Sequence, residues 1–204
     1  DDPYDSLEDF WESNHANKIV YFRAGTYQYP KNGSEDDRNI NRVILGSTNP
    51  IAYLGYPGET VYMDSEDAGL NSYCWYTAQT DHYFQNIIFN DIYYYGFAIV
   101  GASTYLTIYD CIFQNTESDS TPANQSSINS MAGVAHNKLV IFGNTFRYHG
   151  TGVYHGIETY TVTNTVIQDN DFYDTGDCGI LIKNTTNNVA IRHNIFHGET
   201  DAWY

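Results

Sequence analysis

Four segments of the chain can be laid directly on one another: YLTIYDCIF (105–113), KLVIFGNTF (138–146), NTVIQDNDF (164–172) and NVAIRHNIF (188–196). Each ends in phenylalanine and carries isoleucine five residues earlier, and DHYFQNIIF (81–89) fits the same frame with Phe84 in the isoleucine column. Two residues before the phenylalanine stand Asn144, Asn170 and Asn194, with Cys111 in the same column. Self-similarity on this scale limits the fold more than any other feature of the chain, because each copy must be one structural unit that buries its apolar side only against the next copy.

A second column precedes the first. The segments YGFAIV (95–100), AGVAHN (132–137), HGIETY (155–160) and CGILIK (178–183) each place a glycine before an apolar residue, and Gly133, Gly156 and Gly179 are spaced by about 23 residues. Such a period is too short for most helical repeats. The segments alternate, or are rich in β-branched and aromatic residues, so they are expected to be strands. A turn holding two or three short strands, with asparagine at a fixed corner, is the requirement of a parallel β-solenoid. Asparagine tolerates the left-handed backbone of a tight corner, and its amide can bond to the asparagine of the next rung. Asn144, Asn170 and Asn194 are therefore read as a corner ladder.

The opening of the chain follows the scheme less regularly. Residues 6–14, SLEDFWESN, have an amphipathic helical pattern, so residues 1–17 are expected to form an N-terminal capping helix over the first rung. KIVYFRAGTY (18–27) alternates like a strand, and PIAYLGYPGETVYMDS (50–65) reads as strand, corner and strand. Residues 117–130, ESDSTPANQSSINS, interrupt the period and are expected to be an inserted loop.

Length and charge set further bounds. With 204 residues, 42% of them hydrophobic, residues 1–204 are expected to form a single all-β domain of about six or seven rungs. No stretch approaches the roughly 18 apolar residues of a membrane span. Nine basic against 25 acidic residues give a net charge of −16, which argues against nucleic acid as a partner, since binding it needs clustered cations. A polyanionic sugar would also be repelled unless a local cation bridged it. The three cysteines, Cys74, Cys111 and Cys178, have neither CxxC spacing nor histidines at metal-finger distances, and an odd count allows at most one bridge. The opening DDPYDS would suit a mature N-terminus left after cleavage, in keeping with an extracellular or cell-surface protein.

The chain resembles the right-handed parallel β-helix proteins of the pectate-lyase-like superfamily. The phrases RAGTY (23–27) and PIAYLGYPGETV (50–61) are similar to the opening rungs of its alginate-lyase and chondroitinase-B-like branch, and the NVxIRxNxF form of residues 188–196 is generic to the superfamily. The resemblance implies the right-handed fold and a polysaccharide as partner. It also implies a site on the outer face of one sheet, where a lysine removes the proton beside a uronic carboxylate, an arginine assists the leaving oxygen, and Ca²⁺ neutralises the carboxylate.

Alternation from the glycine column sends Phe97, Val134, Ile157 and Ile180 inward. It sends outward the columns Ala98, Ala135, Glu158, Leu181 and Val100, Asn137, Tyr160, Lys183. Tyr160 and Lys183 are then stacked neighbours, with Asn137 one rung above, Glu158 diagonal to the lysine, and His155 and Asp177 at the edge. The resemblance makes Lys183, Tyr160 and Glu158 the candidate catalytic groups, and Asn137, His155, Tyr160 and Asp177 the candidate contacts to sugar. The strand of Lys183 carries no acidic calcium ligands, and Arg192 lies beyond the next corner. Asp36 and Asp37, in NGSEDDRN (32–39), are the carboxylates that could hold Ca²⁺ elsewhere.

Truncation of Tyr160 or Lys183 on an outer face is expected to leave stability almost unchanged. After HGETDAWY the chain offers no polar cap, so another copy or another chain is expected to cover the C-terminal end. The alternative to a sugar-directed protein is a non-catalytic structural or adhesive module of a surface assembly, fibre or phage tail, since one superfold hosts both.

Overall fold

The computed structural model describes residues 17–28, 42–43, 51–64, 73–77, 81–92, 95–99, 102, 104–116, 125–130, 135–149, 154–184 and 187–197. The expected N-terminal helix of residues 6–14, Asp36 and Asp37, and the last seven residues lie outside this set. Among the described residues there are twenty strands and no helix, hence none long and apolar enough to cross a membrane.

The chain winds through three sheets in order. The first turns run β1 (Ile19–Phe22), β2 (Gly25–Gln28), β3 (Arg42–Val43), then β4 (Ile51–Gly55), β5 (Val61–Asp64), β6 (Tyr73–Thr77), then β7 (His82–Gln85), β8 (Ile88–Asn90), β9 (Tyr95–Ile99). The next are β10 (Thr104–Tyr109), β11 (Ile112–Thr116), β12 (Gln125–Ser130), followed by β13 (His136–Phe142), β14 (Thr145–His149), β15 (Tyr154–Tyr160). The last are β16 (Val162–Gln168), β17 (Asp171–Tyr173), β18 (Cys178–Lys183), with β19 (Asn187–Arg192) and β20 (Ile195–His197) beginning a further turn. Every third strand pairs, giving two seven-stranded sheets and a six-stranded one, β3-β6-β9-β12-β15-β18. All pairings are parallel, as a solenoid with one-way winding requires.

The repeat columns acquire a physical meaning in this stack. Phe89, Phe113, Phe146, Phe172 and Phe196 form one file of rings, with centroids 4.7, 5.1, 4.7 and 4.8 Å apart and planes nearly parallel. These separations match the spacing of hydrogen-bonded strands, so each ring lies on its own copy one rung away. The glycines face this file. A Cβ on Gly156 would lie 2.8 Å from the Phe172 ring and 2.7 Å from the Gly179 carbonyl, and one on Gly179 would lie 2.4 Å from Phe196. A glycine of one rung is thus required by the phenylalanine of the next.

The asparagine column is a ladder. The side-chain oxygen of Asn170 accepts from the backbone N–H (2.9 Å) and the amide of Asn144 (3.0 Å), and Asn194 serves Asn170 in the same way at 3.0 and 2.9 Å. Each amide also donates to a carbonyl on the corresponding strand one rung earlier, at Ile108, Ile141 and Ile167. The left-handed backbone is not at the asparagines themselves. It falls one residue earlier, at Asp110, Gly143, Asp169 and His193, with φ between 50° and 64°. The ladder asparagine instead supplies the acceptor for the backbone N–H of its counterpart on the preceding rung, a donor that the corner would otherwise leave buried and unpaired.

Two expectations are corrected. The inserted loop of residues 117–130 ends earlier, because Gln125–Ser130 form β12, whose described side chains are buried between β9 and β15. Consequently AGVAHN is not the glycine strand of its rung. Ser126 pairs with Tyr95 and His155 while Ile128 pairs with Phe97 and Ile157, so Ser127 holds the glycine position and the small serine stands in for it.

Candidate functional site

The three strands β12, β15 and β18 carry the polar cluster of the molecule. Their register sets Asn129 beside Glu158, Glu158 beside Leu181, Tyr160 beside Lys183, and His155 beside Cys178. The stacking of Tyr160 on Lys183 is therefore present, but the residue beside Glu158 on the preceding rung is Asn129. Asn137 lies in a different sheet, in β13, where it accepts from Thr163 Oγ1 at 3.2 Å and from Asn164 Nδ2 at 2.8 Å. The glycine alignment had shifted that rung, and with the shift corrected Asn137 leaves the site. Arg192 lies in β19, its Nε donating to Gln168 at 2.5 Å.

Glu158 was expected on an open face, yet it is wholly buried. Strand β9 is buried along its length and β15 as far as Thr159, so at these strands the sheet is buried on its outer side as well as its inner one, while β18 is half-exposed. The carboxylate is fully engaged. Oε1 accepts from Lys183 Nζ at 2.5 Å and from the Tyr160 hydroxyl at 2.6 Å, and Oε2 accepts from Asn129 Nδ2 at 2.9 Å. Asn129 in turn donates to Ser126 Oγ at 3.1 Å, and Ser130 Oγ accepts from the Tyr160 backbone N–H at 2.7 Å. Both oxygens of the buried carboxylate thereby have donors, which a site of low dielectric demands.

Lys183 and Tyr160 stand where β15 and β18 end and the cluster reaches solvent. The lysine side chain is 29% exposed, its Nζ 3.0 Å from the Tyr160 hydroxyl and 5.1 Å from the ring centroid. The hydrogen bond it donates to Glu158 raises the Lys183 pKa above the ordinary ammonium value, and burial raises that of Tyr160, helped by the neighbouring carboxylate. Both keep their protons at neutral pH. A lysine acting as base must first be neutral, so in this arrangement Lys183 is an ammonium donor, and its charge is already balanced by Glu158.

His155 and Asp177 flank the cluster at the other end of the same strands. The imidazole is buried and its Nδ1 lies 3.6 Å from Asp177 Oδ2, while Asp177 is exposed. Burial lowers the His155 pKa, against the opposing pull of Glu158 and Asp177, so the ring is neutral at pH 7. Sequence reasoning missed Asn129, Ser126 and Ser130. Their signal was Ile128, which continues the apolar column of Phe97, Ile157 and Ile180 across a segment that otherwise reads as a polar loop.

A family model described as a right handed beta helix region matches residues 71–202. The chain belongs to this right-handed β-helix family. The crystal structure of pectate lyase Pel9A superposes on the β-helix with a TM-score of 0.61 and 12% sequence identity, covering 86% of this chain and 44% of that one. At such identity the likeness is one of fold, and the β-helix described here spans less than half the length of that lyase. No curated protein matches the sequence.

Proposed function

We propose that this β-helix binds a neutral, hydroxyl-rich polysaccharide at the ends of β15 and β18, in an extracellular or cell-surface setting. The observation that supports this most is the Glu158–Lys183–Tyr160 cluster. A buried ion pair contributes little to stability compared with an apolar replacement, and elsewhere the stack is built from uniform phenylalanine and asparagine files. A network of unlike polar groups in one place, aimed at the solvent end of two strands, is therefore better explained by recognition. The ammonium retains a donor, and the tyrosine ring offers a face for a pyranose. Because Glu158 already balances Lys183 and the chain carries −16 overall, the site has no surplus positive charge for a polyuronate.

Elimination with Lys183 as the base is the competing outcome, and an assembly module without a sugar ligand is the other. A glycan array covering neutral and acidic polysaccharides, with and without EDTA, separates them when combined with ultraviolet absorbance of unsaturated uronate products. Binding to neutral glycans, reduced at least about tenfold in Tyr160→Ala and accompanied by no absorbance change, is expected. Product formation from a polyuronate would replace binding by a lyase activity, and silence across the array would favour the module.

A further inference from the structure

We propose that His155, Asp177 and Cys178 form a three-ligand site for a borderline divalent transition metal of the zinc class. The inference is independent of the polysaccharide reading. Its residues come together through the fold: β15 and β18 pair His155 with Cys178, and the turn before β18 delivers Asp177, whose backbone N–H donates to the Tyr154 carbonyl at 3.0 Å. Gly176, at φ 68°, allows that turn.

The directions of approach distinguish a metal site from a catalytic triad. Cys178 Sγ lies 3.1 Å and Asp177 Oδ2 3.6 Å from the same ring nitrogen, His155 Nδ1, and the three ligand atoms are all within 4.8 Å of one another. In a nucleophilic triad the thiol and the carboxylate address opposite nitrogens of the imidazole. Here they converge on one ring nitrogen, as ligands around a shared ion do. Metal bonds of about 2.0 to 2.3 Å at tetrahedral angles separate such ligands by about 3.4 to 3.6 Å. The two distances to His155 Nδ1 need adjustments of only a few tenths of an ångström, and the sulfur and carboxylate oxygen, within 4.8 Å of each other, close on the ion by side-chain rotation at the exposed Asp177.

The donor set also selects the ion. A nitrogen, a sulfur and one carboxylate are a poor set for Ca²⁺, which takes six to eight oxygens, and a good one for Zn²⁺ or Co²⁺. The thiol is not an activated nucleophile, since burial pushes its pKa up to about 11. The other cysteines lie elsewhere in the fold, Cys74 in β6, which pairs with β3 and β9, and Cys111 at the corner before β11, so neither stands beside β15 and β18 as a fourth ligand. Three protein ligands leave a coordination position for water or another small donor. On binding, the metal takes the sulfur lone pair and the thiol proton passes to buffer.

The test is titration of the intact, EDTA-stripped chain with Co²⁺. A thiolate-to-cobalt charge-transfer band in the near ultraviolet is expected, with strong visible bands of a four-coordinate ion, displacement by Zn²⁺, and release of about one proton per metal at pH 7. Cys178→Ser removes the charge-transfer band, and Asp177→Asn weakens affinity at least about tenfold. Circular dichroism monitors the fold throughout, because Cys74 and Cys111 can bind cobalt only in unfolded protein. Absence of the band in the wild type overturns the proposal, as does an unchanged band in folded Cys178→Ser. Should that variant not fold, unchanged affinity in Asp177→Asn, altered at an exposed side chain, overturns it.

Discussion

Lys183 and Glu158 illustrate how one burial value changes the meaning of a side chain. Read as outward-facing, the lysine is dispensable for stability. With Glu158 wholly buried, its removal leaves a charge without its cation in the interior. Lys183→Ala is therefore expected to lower unfolding free energy by about 3 kcal/mol, at the lower end for a broken buried pair because the lysine is partly exposed. Lys183→Met combined with Glu158→Gln should recover most of it, and urea denaturation of the two proteins checks this.

His82 gives the second residue-scale expectation. It is 1% exposed, and burial lowers its pKa from the ordinary 6.5 to about 4. Between these values the unfolded chain holds a proton that the folded chain does not. Stability consequently rises with pH across the window and falls on acidification, by about 3 kcal/mol once pH drops below 4. His82→Gln should flatten that dependence, measured by urea denaturation at pH 7 and 4.5.

At the scale of the element, the two files respond differently to substitution. Asn170→Ala deprives the Asn144 backbone N–H and amide of their acceptor and the Ile141 carbonyl of a donor, all in a buried corner. A loss of about 2 to 4 kcal/mol is expected, greater than for Asn194→Ala, whose corner is only half-buried, and thermal or urea unfolding of the pair tests the order. Gly156→Ala is an overpacking change, since its new methyl meets a carbonyl and a ring below 3 Å, and should cost about 1 to 3 kcal/mol by the same measurement. These files were legible in the sequence for a reason. Each of their residues touches a copy of itself on the next rung, so contact in space is written as periodicity along the chain. The outer side of the six-stranded sheet has no such self-contact. Its column runs Ala98, Asn129, Glu158, Leu181, and Asn129 meets Glu158 rather than another asparagine. No period could reveal it, and with Ser127 in the glycine position Ile128 was left as the marker that could set the rung in register.

For the whole molecule, charge is the governing quantity. The chain carries a net charge of −16, so repulsion among its acidic groups opposes the compact state and added salt screens it. The melting temperature should rise from low ionic strength to about 0.5 M NaCl, followed by circular dichroism; a fall would mean that specific ion pairs outweigh the net field. The right-handed winding and the sheet order followed from the repeat and the resemblance. The burial of both faces around the polar cluster did not, because its outward column, Ala98, Asn129, Glu158, Leu181, carries no recurring residue type that would mark a buried face. One consequence of the glycine–phenylalanine contact reaches beyond energetics. Since the gap in one rung is filled by the ring of its successor, the stack behaves like a crystal with an interlocking unit cell. Whole cells can be inserted or removed with the lattice intact, but a deletion of one or two residues inside a strand is a dislocation, whose misfit is passed from cell to cell and cannot heal locally. Length variation in such a chain is confined to the corners or comes in complete turns.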